Sequence, residues 1–198
     1  MIALIDYGAG NLASVKKALA ALGADVIVPQ APADLAESQG IIVPGVGHFG
    51  ATRPLQGAWT EAILERVGEG RPLLGICLGM QWLFEGSDEA ADMPGLGVLS
   101  GHCYRLAGHG VKVPHVGWND LTIEAPVSIL EGVASGSQVY FTHSYAAPTN
   151  SETAATTEHG ERFASVVQRG YVAGVQFHPE KSGPVGLQVL RNFLRLAG

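Results

Sequence analysis

The sequence predicts an α/β fold: one open, mixed and mostly parallel sheet with helices on both faces. Three observations predict it. In the first half, short apolar runs alternate with helix-period segments over short links, the pattern of right-handed βαβ crossovers. In the second half, short extended runs follow one another between turn residues, as antiparallel strands do. An amphipathic stretch near 184–196 closes the chain with another helix.

Ala3 to Ile5 reads as the first strand. Asn11 is placed to cap a helix whose apolar residues Leu12, Val15, Leu19 and Leu22 recur at three and four, and Gly23 closes it. "DVIVP" (25–29) and "GIIVPG" (40–45) are strands. A helix is expected over roughly 55–67, with Leu55, Trp59, Ile63 and Val67 on one face; Pro54 and Gly57 make its start irregular. Leu73 to Ile76 has the short, continuously apolar character of a central parallel strand. After Cys77 the period changes, with Leu78, Trp82 and Leu83 at helical spacing. In the second half "GVLSGHCYRL", "VKVPHVGW", "QVYFTHSYAA", "RFASVVQRG" and "YVAGVQFHP" are extended, and "RGY" at 169–171 marks a tight hairpin. Nothing between the halves has the composition of a linker, so residues 1–198 are expected to form a single domain.

The bulk properties exclude several function classes. A hydrophobic content of 46% supports a packed core rather than disorder. A formal net charge of −6 leaves no basic footprint, which argues against nucleic acid as a partner. No apolar run reaches the roughly 18–20 residues of a membrane span, and "MIALIDYGAG" lacks the charged and apolar regions of a signal peptide. Cys77 and Cys103 are too few for a disulfide framework. These features predict a cytoplasmic location.

The chemistry begins at "GICLG" (75–79). A Gly-x-Cys-x-Gly turn between a strand and a helix is the thiol form of a nucleophile elbow. The helix N-terminus favours a thiolate, and the Leu78 N–H is free to bind an oxyanion. The pentapeptide fits a small buried structural cysteine equally well. A nucleophile needs a base and the base an orienter. "VQFHPEKS" (175–182) offers both: Pro179 favours an extended His178, and Glu180, two residues on, then faces the same side. "VPGVGHFG" (43–50) lies at another C-terminal strand end, the edge where open α/β sheets bind ligands. Its glycines leave the N–H groups around Val46 and Gly47 able to turn toward a ligand.

"GAGNLA" (8–13) fits the G-x-G-x-x-A dinucleotide fingerprint, but no acidic residue ends the second strand, where Gln30 stands. A loop serving a partner or a small molecule is the better expectation. His102, His109 and His159 show no metal-ligand spacing. Cys103, Trp59 and Trp82 are expected to pack in the core, and Trp118 is either an interface anchor or a cover for the core.

"GICLGMQ", "PGVGHFG" and "VQFHPEKS" together resemble the class I (triad) glutamine amidotransferases, a flavodoxin-like fold. "DYGAGNLASV" (6–15), "KVPHVGWN" (112–119) and "YFTHSY" (140–145) narrow the resemblance to the amidotransferase subunits of imidazole glycerol phosphate synthases, over nearly the whole chain. The resemblance implies that Cys77 attacks glutamine, His178 shuttles the proton, Glu180 orients it, and a glutamyl thioester is hydrolysed. It implies an oxyanion hole from Val46, Gly47 and Leu78, and glutamine contacts from Gly47, Gln81, His143 and Ser144. It implies no cofactor and no metal. The partner would be a (β/α)₈ cyclase subunit, in a heterodimer, that uses the ammonia to make imidazole glycerol phosphate and aminoimidazole carboxamide ribotide in histidine biosynthesis. Asn11, Trp118, Tyr140 and Lys181 would lie toward it. Such subunits are typically inactive until the partner binds its ribotide, which suggests a gate at 44–47. The rival readings are a glutaminase subunit serving a different synthase, a non-catalytic binding module of the same fold, and a nucleotide-cofactor enzyme built on "GAGNLA".

Overall fold

A computed structural model describes all residues, 1–198. The elements run β1 (Ile2–Leu4), α1 (Leu12–Ala21), β2 (Val26–Ile27), β3 (Gly40–Val43), α2 (Ala58–Gly68), β4 (Leu73–Ile76), α3 (Leu78–Trp82), β5 (Gly86–Ser87) and β6 (His102–Arg105). They continue with β7 (His115–Asp120), β8 (Thr122–Ile123), β9 (Gln138–His143), β10 (Tyr145–Ala146), β11 (Thr153–Glu158), β12 (Arg162–Arg169), β13 (Val172–Val175) and α4 (Gly183–Leu196).

Eight strands form the main sheet in the order β2-β1-β3-β4-β13-β12-β11-β8. The first five are parallel and the last three join antiparallel, as the change of sequence pattern predicts. β12 and β13 form the expected hairpin, with Gly170 at φ 57° in its turn. Strand alternation separates two cores. Ile2, Leu4, Ile42, Leu74 and Ile76 face α1 and α4 through Val15, Leu19, Leu190 and Phe193. Ala3, Ile41, Val43 and Leu73 face α2 and α3 through Ile63, Met80 and Trp82. No helix is long and apolar enough to cross a membrane.

Three local expectations need correction. The helix expected from Leu55 is split: Phe49–Leu55 forms a 3-10 turn, Gly57 breaks the chain at φ 69°, and α2 starts at Ala58. Pro54 lacks an N–H and the break needs left-handed backbone, so Leu55 is buried from the turn and not from the helix. Asn11 occupies the N-cap position of α1, but its side chain makes no capping hydrogen bond. "QVYFTHSYAA" is not one strand; it divides at Ser144 into β9 and β10, which lie in different sheets.

β7 and β9, which carry much of two of the three segments that narrow the resemblance, pair as an antiparallel ribbon outside the main sheet. His115 lies opposite His143 at one end, and Trp118 opposite Tyr140 further along.

Candidate active site

β4 delivers Cys77 to the C-terminal edge of the sheet. The residue sits at φ 53°, ψ −107°, a conformation L-residues rarely adopt. Both flanking glycines are required by close backbone approach. A Cβ on Gly79 would lie 1.8 Å from the Val43 carbonyl oxygen, and one on Gly75 would lie 2.5 Å from the Gly79 carbonyl oxygen. The strained turn thus holds the start of α3 directly against β3 and β4.

β13, the neighbour of β4, runs on into the second motif. The His178 Nδ1–H donates to Glu180 Oε1 at 2.9 Å, and both side chains are almost fully buried. The contact is the expected one, but not through strand alternation. His178 is extended (φ −98°, ψ 98°), whereas Pro179–Lys181 forms a 3-10 turn that swings Glu180 back under the ring. With the Nδ1 proton committed to the carboxylate, Nε2 is the free nitrogen, and it has no other hydrogen-bond partner. Burial lowers the His178 pKa, but the nearby Cys77 sulfur and the Glu180 carboxylate outweigh it and raise the pKa to about 9.

Nothing in the sequence pattern singles out two supports of this pair. Gln176 is fully buried and donates through Nε2 to the Cys77 sulfur at 3.5 Å. Ser182 donates to the His178 carbonyl at 2.7 Å and accepts from the Tyr140 N–H at 2.9 Å, while the His178 N–H donates to the Tyr140 carbonyl at 2.9 Å. The histidine is therefore fastened to the β7–β9 ribbon.

Of the three N–H groups expected to form an oxyanion hole, those of Val46 and Leu78 are engaged elsewhere, and that of Gly47 is not. The Val46 N–H donates to the Ala9 carbonyl at 2.7 Å, and the Leu78 N–H donates to the Gly45 carbonyl at 3.3 Å. The Gly45 carbonyl and the Val46 N–H belong to one peptide unit. A single peptide therefore withholds both donors.

Beside Cys77 lies a cavity of about 310 Å³ lined by Val46, Gly47, Leu78, Gln81, Glu89, Pro114, Thr142, His143, Ser144 and Tyr145. The four residues expected to contact glutamine are all there. The Gln81 amide donates to the Tyr145 carbonyl at 2.8 Å and to Gln176 Oε1 at 3.0 Å, leaving its oxygen to offer. Glu89 contributes the one carboxylate in the lining, accepting from the Phe49 N–H at 2.7 Å. Its sequence context, "GSDEA", carries no recognisable signal.

One wall is set by a histidine chain. The Asn119 amide meets His115 Nε2 at 3.2 Å, His115 Nδ1 meets His143 Nε2 at 3.0 Å, and His143 Nδ1 meets the Tyr145 carbonyl at 2.9 Å. The carbonyl only accepts, so each nitrogen's role follows: Asn119 donates to His115, His115 to His143, and His143 to Tyr145, with both rings neutral. Burial, then the neighbouring His143 and His159, push His115 down to about 3. Burial pushes His143 down to about 4, against the Tyr145 hydrogen bond that raises it. In the unfolded chain both would titrate near 6.5, so between there and about pH 4 only the unfolded state takes up these protons. Stability should fall as pH drops through this window, by up to about 1.4 kcal/mol per pH unit for each histidine held neutral. Urea unfolding at a series of pH values checks this; a flat profile from pH 6.5 to 4.5 would refute it.

The residues expected to face the partner are placed as follows. Trp118 does not cover the core: it is 54% exposed. It meets Tyr140 edge-on at 6.2 Å between ring centroids, and Lys181 Nζ lies 5.7 Å from the Tyr140 centroid. These three form one cluster, and Asn11 stands at the head of α1, the helix that packs against the Pro179–Lys181 turn. Cys103, Trp82 and, partly, Trp59 pack in the core as expected. The "GAGNLA" loop holds Val46 through Ala9. No group of three or more histidines, cysteines or acids is placed to hold a metal ion.

Comparison with known proteins bears on this arrangement. The family model for glutamine amidotransferase class-I matches residues 3–197. Imidazole glycerol phosphate synthase subunit HisH of Moorella thermoacetica is 48% identical, covering 97% of this chain and 93% of that protein. The protein of the same description from Thermococcus kodakarensis is 44% identical, covering 99% of this chain and 100% of the relative. A crystal structure of a glutamine amidotransferase superposes with a TM-score of 0.78 at 24% identity, covering 100% of both chains, a likeness of fold. Agreement of this extent, over nearly the whole of each chain, shows that the chain belongs to the class-I glutamine amidotransferase family, among the HisH subunits of imidazole glycerol phosphate synthase.

Proposed function

We propose that the chain hydrolyses glutamine to glutamate and ammonia through a Cys77 thioester, and that the ammonia passes to a cyclase subunit making imidazole glycerol phosphate and aminoimidazole carboxamide ribotide. The observation that carries this reading is the strained Cys77 turn facing a histidine whose tautomer Glu180 sets. The Cys77 sulfur attacks the carboxamide carbon. The His178 Nε2–H gives its proton to the departing nitrogen, and ammonia leaves. His178 then takes a proton from water, which attacks the thioester and releases glutamate and the sulfur. Gln176 supports the sulfur's negative charge. Glu89 takes the substrate's ammonium group, and the Gln81 oxygen, with Gly47, His143 and Ser144, holds the rest.

The oxyanion would rest on the N–H groups of Val46 and Leu78. Both are withheld by the Gly45–Val46 peptide, so the described geometry is a resting state. Turning that one peptide over frees both donors together. Such a gate prevents ammonia release into water when no acceptor is present. Val116 and Trp118, 57% and 54% exposed on one side of the ribbon, with Tyr140 and Lys181 beside them, offer the docking face for the cyclase subunit. The ribbon's bonds to His178 would carry the partner's presence to the site. Residues 1–198 act as one amidotransferase domain, since β1 and β13 share a sheet. Two free, buried cysteines accord with a reducing cytoplasm.

Glutamate release should be small for the chain alone and rise when the cyclase subunit and its ribotide ligand are added together. Fast turnover by the lone chain would keep the catalytic pair and remove the gate. No turnover in a confirmed, liganded complex would favour the non-catalytic module.

A further inference from the structure

Tyr7 follows β1 and is buried among Ile5, Val43 and Met80 in the core beneath α2 and α3. Its hydroxyl is buried and has no hydrogen-bond partner. A buried polar group left unsatisfied is uncommon and calls for a reason. The hydroxyl lies against the peptide that withholds the oxyanion donors: a Cβ on Gly45 would come within 2.1 Å of it. No other buried side-chain donor left without a partner lies on this loop; the rest are on Arg66, Ser165 and His178.

Resting on the gate described above, the consequence of a flip follows for both ends of the peptide. In the resting state the Gly45 carbonyl accepts from Leu78 and the Val46 N–H donates to Ala9. When the peptide turns over, the N–H swings toward Cys77 and the carbonyl swings away from Leu78. That carbonyl then needs a new donor in a buried place, or the flipped state is heavily disfavoured. We propose that the Tyr7 hydroxyl is that donor: it receives the Gly45 carbonyl in the active arrangement and so sets how much of that arrangement the partner can draw out. Tyr7 is a positioning residue here and touches no substrate. It also works on the other side of the equilibrium. The unpaired hydroxyl destabilises the resting state, where it has no partner, so the gate is closed but not deeply trapped. Burial, and secondarily the Cys77 charge, raise the phenol's pKa, so the group keeps its proton and remains a donor.

The test is Tyr7→Phe in the full two-subunit enzyme, saturated with ribotide ligand. Expected is a fall in kcat for glutamate release of about tenfold or more, the loss of one hydrogen bond in the active state. The KM for glutamine should change little. Iodoacetamide alkylation of Cys77, which needs no oxyanion hole, should keep its rate. The free chain should melt at the same temperature or higher, because the variant removes an unsatisfied hydroxyl. An unchanged kcat overturns the proposal. So does a fall in kcat accompanied by a lower melting temperature and altered alkylation, which would mark Tyr7 as a packing residue. The wild-type enzyme run in parallel separates the two readings. If the lone wild-type chain turns over glutamine as fast as the complex, the gate itself fails. If wild type is activated and Tyr7→Phe is activated equally, the gate stands and the role of Tyr7 fails.

Discussion

Replacing Cys77 with alanine should lower glutamate release by the assembled enzyme at least about 10⁴-fold, the scale seen when a nucleophile is removed from a coupled catalytic unit. The protein should still fold and still bind its partner. Alanine keeps the Cβ at the turn and meets the same φ of 53°, so the backbone strain of the turn is unchanged and only the sulfur, with its bond from Gln176, is lost. The pH profile of the intact enzyme gives an independent check. His178 is raised to about 9 because Cys77 and Glu180 together outweigh burial. The protonated ring that serves the leaving nitrogen is therefore kept below about pH 9 and lost above it, so kcat/KM should fall on the alkaline side near that value. Glu180→Gln removes one of the two supports, so its alkaline limb should move to lower pH as kcat drops. An alkaline limb that stays in place would mean that Glu180 does not set the ionisation of His178.

The sheet and the elbow were legible because a change of hydrophobic period is a side-chain signal. Leu73–Ile76 alternates across two cores and Leu78–Trp82 follows a helix face, so the turn at Cys77 can be found between them. The His178–Glu180 pair was legible by residue type and proximity, and its geometry was not. Pro179 starts a tight turn as readily as it extends the residue before it, and the turn is what brings the carboxylate under the ring. β11 was missed because Thr153–Glu158 has only alanines and threonines at its buried positions and gives no strong apolar period. Glu89 is not legible because it reaches the site from a separate segment by the way the chain folds back, and Gln176, although inside "VQFHPEKS", is not legible because only the fold shows that its amide turns to the Cys77 sulfur. The state of the Gly45–Val46 peptide is the least legible feature. A peptide flip moves no side chain from one face to another, so "PGVG" indicates that the backbone can turn and not which way it stands. Only the bonds to Ala9 and Leu78 settle that orientation.

Gly79→Ala should be the most damaging single-methyl change in the chain. The added Cβ would stand 1.8 Å from the Val43 carbonyl oxygen and 2.8 Å from the Val43 carbonyl carbon. Those are main-chain atoms of a central strand bonded on both sides to β1 and β4, so they cannot rotate away as a side chain could. Relief requires α3 to lift off the sheet, which would uncover Met80 and Trp82 and carry Cys77 away from His178. The expected cost is about 3 kcal/mol or more of stability, together with loss of glutamine turnover in whatever fraction folds. Gly68→Ala is the matching control: it lies at the end of α2 with nothing within 4 Å of its added Cβ, and should be neutral or stabilise by about 0.5–1 kcal/mol. Chemical denaturation of both variants decides the matter. If Gly79→Ala unfolds at the wild-type midpoint and retains turnover, the elbow does not depend on backbone contact between α3 and β3. The glycine that marks it in the sequence would then need another explanation.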